Sequence, residues 1–182
     1  MRKSVAGIIS AAWFLLAGGV GAILAPWWLT GWQLQHPLPG WPVAEVAGVL
    51  LIVVGVVAAV DVFVQFVRAS GTPMPGAMTG RLVTTGLNAY VRNPIYLAVM
   101  TIFVGQAMLF GQLSMLIYTI VVGLGTPAFV RWHEEPALTA RFGADYEAYR
   151  REVPAWRPRL HPWTPDNHDA PTSRSAETGP HG

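Results

Sequence analysis

The sequence predicts an all-α polytopic membrane protein. Four transmembrane helices, the last two paired in a tight helical hairpin, precede a C-terminal cytoplasmic amphipathic helix. Three observations predict this. Hydrophobic residues make up 52% of the 182 positions and charged residues only 12%, about half the charged share of a soluble domain. The charges are clustered, so no Asp, Glu, Lys or Arg occurs from Ser4 to Ala44 or from Asn93 to Val130. The basic residues also fall in alternate connections between the apolar runs. The chain has no cysteine, which excludes a disulfide framework, a Cys-based zinc site and a thiol nucleophile. A net charge of +2 gives no footprint for nucleic acid.

Span one is predicted at about 5–25, stopped by Pro26. A spanning helix needs about 20 apolar residues. Arg2-Lys3 followed by an apolar stretch has the shape of a signal peptide, but the run is too long and more spans follow, so it reads as an uncleaved helix. The connection after it holds Trp27, Trp28, Trp32 and Trp41, half of the eight tryptophans, as in an interfacial aromatic belt. Span two is predicted at 43–67, with Glu45 near one end and Asp61 near the other. The charge-free run 93–130 would measure about 57 Å as one helix, too long for a single crossing. Gly111-Gln112 is the natural turn, giving spans at 95–110 and 113–131.

All 12 Lys and Arg lie before span one, between spans two and three, or after span four. The positive-inside rule therefore places both termini and the 68–94 loop in the cytoplasm. A helix over 136–153 is predicted from Leu138, Phe142, Tyr146, Tyr149 and Val153, spaced by four and three. Arg141, Asp145, Glu147, Arg150 and Arg151 occupy its other face. Residues 1–163 read as one membrane-embedded domain. The tail 164–182 has too few apolar residues to order itself, and its His168 and His181 are not expected to bind metal.

Two polar segments carry the candidate chemistry. In Arg92-Asn93-Pro94-Ile95-Tyr96, Pro94 suits the first helical turn and Asn93 an N-cap. Free N–H groups and Arg92 there suit a carboxylate, and Tyr90 and Tyr96 offer faces and hydroxyls. The alternative is that Arg92 sits among lipid headgroups and Asn93 only caps. In Arg131-Trp132-His133-Glu134-Glu135-Pro136, paired carboxylates suit a cationic amine or ribose hydroxyls, or simply begin a new helix at Pro136.

Taken in order, these segments resemble the isoprenylcysteine carboxyl methyltransferase-like family, related to phospholipid methyltransferases. The resemblance rests on Arg92-Asn93-Pro94-Ile95-Tyr96, the hairpin, Glu134-Glu135, Phe142-Gly143-Ala144-Asp145-Tyr146-Glu147-Ala148-Tyr149, and Val153-Pro154 through Arg157-Pro158-Arg159. Gly71-Thr72-Pro73-Met74-Pro75 and Leu82-Val83-Thr84-Thr85-Gly86 match many bacterial members. The resemblance covers about 71–160. It implies a bacterial inner-membrane enzyme with a cytoplasm-facing S-adenosyl-L-methionine site. Val83, Gly86, Tyr90, Arg92, Asn93, Pro94, Tyr96 and Leu97 would form one wall and Glu134 and Glu135 the other, with Arg92 and Glu135 as the catalytic pair. Asn88-Ala89 departs from the Tyr-Arg frequent in bacterial members, Asn93 from His, and Ala98 from Gly.

A sulfonium methyl donor is already activated, so such an enzyme works mainly by alignment and needs no metal. A site at the membrane implies a lipophilic acceptor: an isoprenoid or prenyl-cysteine carboxylate, a thiol or a lipid amine. Two alternatives stand beside this reading. One is a nicotinamide-dependent membrane reductase of the related fold. The other is a small non-enzymatic membrane protein, for which the intramembrane Asp61 is the best support.

Overall fold

The computed structural model describes residues 20–70 and 82–164, and every regular element among them is helical. Most of the predicted first span, the 71–81 loop with Arg81, and the tail beyond Thr164 lie outside the described residues. A π-helical turn, Val20–Leu24, runs into α1, Ala25–Thr30. Pro26 therefore does not stop the helix as expected. It stands in the first turn of α1, where its missing N–H costs nothing. The stop comes at Gly31, whose φ of 57° suits glycine and whose N–H closes on the Trp27 carbonyl.

Helix α2, Trp41–Ser70, is the longest element at 30 residues, about 45 Å. Helices α3, Pro94–Phe110, and α4, Leu113–Phe129, have 17 residues each. They are joined where the spacing argument puts the turn. Gly111 takes φ 62° and closes α3, and Gln112 is extended before α4. The Gln112 amide Nε2 then donates to the carbonyls of Thr30 (3.0 Å) and Gln33 (2.6 Å), fastening the hairpin to the Trp-rich connection.

Helices α2 and α3 meet backbone to backbone. A Cβ on Gly48 would fall 2.6 Å from the Gly105 carbonyl oxygen, and a Cβ on Gly105 2.6 Å from that of Gly48. One on Gly55 would fall 2.8 Å from the Ala98 oxygen. Where lipid is as apolar as leucine, small residues let helices gain van der Waals contact by close approach. The other faces carry exposed Val, Leu and Ile such as Val43, Leu50, Val57, Leu116 and Leu124. Trp41–Gln65 and Leu113–Phe142 are long and apolar enough to cross a membrane, and Pro94–Phe110 is a shorter apolar helix. Water would not tolerate such a continuous apolar surface on a monomer, which fits a membrane protein.

Two boundaries after α4 differ from expectation. No break precedes Pro136; the helix runs on through a π-helical turn, Val130–Glu134, into α5, Glu135–Phe142. The proline ring would clash with the carbonyl four residues earlier, and the wider turn absorbs it. The charge-free part of this helix ends at Val130. The single helix predicted over 136–153 divides at Gly143 (φ 53°, ψ −123°), so α6 is Ala144–Glu152. Its apolar residues still gather: Tyr146, Tyr149 and Val153 form a buried cluster with Leu82, Leu138, Phe142 and Trp163 packed on it. On the polar side the Glu147 carboxylate pairs with Arg150 at 3.5 Å, whereas Arg151 Nε donates to the Glu147 backbone oxygen.

The glycine seam yields a test. Gly48→Leu or Gly105→Leu must push the two backbones apart, costing about 1–3 kcal/mol. Gly125→Leu, where an added Cβ meets nothing within 4 Å, leaves the melting temperature in detergent close to wild type. Equal melting of all three variants would contradict the packing.

Candidate functional site

The site is assembled at the end of the bundle where α3 begins. A 3-10 turn, Gly86–Ala89, leads in. Gly86 has φ 61°, a conformation that favours glycine, and a Cβ there would fall 2.7 Å from the Gln65 side chain, which would have to shift. Pro94 opens α3 as predicted. Asn93 stands at the N-cap position as predicted, but its side chain makes no capping bond; its Nδ2 donates to the Ala155 carbonyl at 3.2 Å.

Residues after α6 return across this turn as a strap. Arg92 N–H donates to the Pro154 carbonyl, Arg159 N–H to that of Tyr90, and Trp163 N–H to that of Ala89, each at 2.9 Å. The Arg92 Nε adds a bond to the Val153 carbonyl at 2.9 Å. Its Nη1 meets Glu135 Oε1 at 2.7 Å, both side chains being about nine-tenths buried at 12% and 9% exposure. The same Nη1 reaches the Tyr146 hydroxyl at 3.4 Å. Arg150 and the exposed Arg131 approach the other Glu135 oxygen at 3.5 and 3.8 Å. Arg92 and Glu135, from segments remote in sequence, thus meet as a buried pair. Arg92 has Nε and Nη1 engaged by the protein itself, and the free bidentate fork expected for a ligand carboxylate is not what forms.

Glu134 faces differently. Tyr96 donates its hydroxyl to Glu134 Oε2 at 2.8 Å. Burial raises the Glu134 pKa, with the Tyr96 hydrogen bond opposing and Glu135 adding to the rise. Beside it lies a cavity of about 140 Å³ lined by Leu82, Val83, Asn88, Arg92, Asn93, Glu134, Leu138, Phe142, Tyr146 and Tyr149. Burial raises the pKa of Tyr146 and of Tyr149 as well, so both phenols stay neutral donors at physiological pH. Tyr149 uses its hydroxyl on the Asn88 carbonyl at 2.6 Å. The Asn88 amide Nδ2 is buried and has no partner among the described residues.

Of the sequence-predicted residues, Val83, Arg92, Asn93 and Glu134 line this cavity. Tyr96 reaches it through Glu134. Gly86, Tyr90, Pro94 and Leu97 shape the turn and helix start behind it, and Tyr90 contributes its backbone carbonyl to the strap. Glu135 borders a separate cleft of about 580 Å³ with Arg131, Trp132, Thr139, Glu147 and Arg150. Leu82, Asn88, Leu138, Phe142, Tyr146 and Tyr149 also line the cavity beside Glu134 and were not among the predicted site residues. For the last four the apolar face of 138–153 was the available signal, since such a face needs covering.

Removing one member of a buried ion pair strands the other charge, at a cost of about 3–5 kcal/mol. Arg92→Met is therefore expected to lower stability in detergent by about 3 kcal/mol. Arg150→Ala, a partly exposed contact, costs under about 1 kcal/mol. Indistinguishable unfolding curves for the two variants would refute the pairing.

Among known proteins, the family model for phospholipid methyltransferases matches residues 43–145. Protein-S-isoprenylcysteine O-methyltransferase of Schizosaccharomyces pombe is 37% identical over 80 residues, covering 43% of this chain and 34% of that protein. The match thus spans about a third of that relative's length. No solved structure matches.

Proposed function

The chain belongs to the phospholipid methyltransferase family, and from that premise we propose that it transfers a methyl group from S-adenosyl-L-methionine to a lipophilic acceptor. The acceptor class is a prenyl-cysteine or isoprenoid carboxylate, a thiol, or a lipid amine. The observation that carries the reading is the cavity between 82–93 and 134–149, where the two polar segments converge beside helices apolar enough for a bilayer. The distribution of Lys and Arg supports a cytoplasm-facing site with both termini on that side.

The residues fit parts of such a donor. Leu138, Phe142 and Tyr149 provide apolar and aromatic walls for a flat base. Glu134 accepts from Tyr96 at one oxygen and keeps acceptor capacity for a hydroxyl or an ammonium. The cavity is smaller than the 300–1,000 Å³ usual for a whole ligand, so it suits one moiety of the donor rather than all of it. When bound, the sulfonium supplies an already activated methyl group. What this chain adds is alignment. Arg92, held by Glu135 and Val153, fixes the turn against α5 and α6 and acts as a positioning residue rather than a catalytic one. Glu135 anchors Arg92. Glu134, with its raised pKa, is the group placed to hold a proton from an amine acceptor. The apolar flanks exclude water and admit an acceptor from the lipid side.

Purified protein is expected to melt later with S-adenosylhomocysteine and unchanged with NADPH, since a ligand that binds only the folded state stabilises it. Radiolabelled methyl should pass from S-adenosylmethionine to a member of a panel of prenylated thiols, isoprenoid acids and lipid amines. Stabilisation by NADPH alone, or transfer only to water-soluble acceptors, would overturn the proposal.

A further inference from the structure

We propose that the cleft beside Glu135 seats the phosphodiester of an anionic membrane phospholipid, gripped between Arg131 and Arg150. The proposal does not depend on the methyl-donor reading, since this cleft is separate from the cavity beside Glu134.

The cleft has a volume of about 580 Å³, within the range that holds a small ligand. Arg131 and Arg150 line it from different elements, the π-helical turn and α6. Both approach the same oxygen of Glu135, at 3.8 and 3.5 Å, so their guanidiniums lie close enough for one phosphate to touch both. Their donors are uncommitted. The contacts with Glu135, and that of Arg150 with Glu147 at 3.5 Å, are too long for good hydrogen bonds. Neither guanidinium makes a hydrogen bond among the described residues. Arg131 is 70% exposed and Arg150 35%, so a ligand can reach both. Phosphate oxygens match the planar fork of an arginine and give short, charge-assisted bonds.

Charge selects an anion. Glu135 already has Arg92 at 2.7 Å. Three guanidiniums therefore meet two carboxylates, Glu135 and Glu147, and leave one positive charge over. A phosphodiester, with its single negative charge, balances it. The Glu147 carboxylate, half-exposed beside Arg150, would accept from headgroup hydroxyls.

Depth identifies the source of the phosphate. The charge-free run ends at Val130, and Arg131 is the first charge after it, on a helix long and apolar enough to cross a bilayer. Arg131 therefore falls at the level of the headgroups, where arginine attracts anionic lipid. Trp132 also lines the cleft and is 79% exposed, and tryptophan is the residue that settles at this depth. A lipid held there would link the π-helical turn to α6 and brace the Arg92–Glu135 pair from outside.

The test is thermal unfolding of the full chain in phosphatidylcholine nanodiscs with and without added phosphatidylglycerol. Wild type should melt about 2–4 °C higher with phosphatidylglycerol, because a ligand of the folded state stabilises it. Arg131→Gln and Arg150→Gln should each lose most of that shift. Arg151→Gln, which removes an exposed arginine of α6 outside the cleft, should keep it. Reading the shift within each variant separates lipid binding from any change in fold stability. No shift in wild type, a full shift in either cleft variant, or an equal loss in Arg151→Gln would overturn the site, the last by showing attraction to surface charge in general. Inorganic phosphate added to phosphatidylcholine nanodiscs should leave melting unchanged, and a shift as large as that from phosphatidylglycerol would overturn the lipid as occupant.

Discussion

The contact between Arg92 and Glu135 is the constraint on which the polar end of the molecule depends. Each charge is costly where it is about nine-tenths buried, and the partner 2.7 Å away is the main compensation for it. Together they fix the entry to α3 against the start of α5, and Arg92 carries the constraint further through its bond to Val153. Tyr146, Tyr149 and Val153 then close over the same turn. An ion pair whose members are 43 positions apart ties the first half of the described chain to the second.

The apolar end obeys a different rule. There the helices gain little from excluding water, because lipid replaces it. Contact between backbones at Gly48, Gly55 and Gly105 supplies the cohesion of α2 with α3, and Gln112 ties the hairpin to the Trp-rich connection. The protein thus combines a seam of van der Waals contact in the bilayer region with a hydrogen-bonded polar knot where the helices end.

Much of this was legible in the chain, for physical reasons that differ by element. The hairpin at Gly111-Gln112 follows from arithmetic, since a charge-free run of that length cannot be one crossing. The five apolar residues from Leu138 to Val153 were legible as one face because burial enforces their spacing. That spacing passes through Gly143 unaltered, which is why the division into α5 and α6 was hidden. Pro26 was read as a stop and Pro136 as a start; in each case the helix runs through it, and before Pro136 a π-helical turn makes room. In the site, Arg92 and Glu135 were legible as important charges, but sequence carries no distances. That they converge was expected, whereas the direct contact of the one with the other is visible only in three dimensions. Asn88 showed only as a departure from a family pattern, and the bond its carbonyl accepts from Tyr149 is visible in three dimensions alone.

The strap has a consequence for how the molecule is made. The turn at 88–93 is synthesised well before residues 153–163, whose groups meet it. Until Val153 and Pro154 are present, Arg92 lacks two of its anchors, and the carbonyls of Ala89 and Tyr90 lack the donors that meet them. The polar knot is therefore finished only once the C-terminal segment has been made, whatever the apolar helices have done by then.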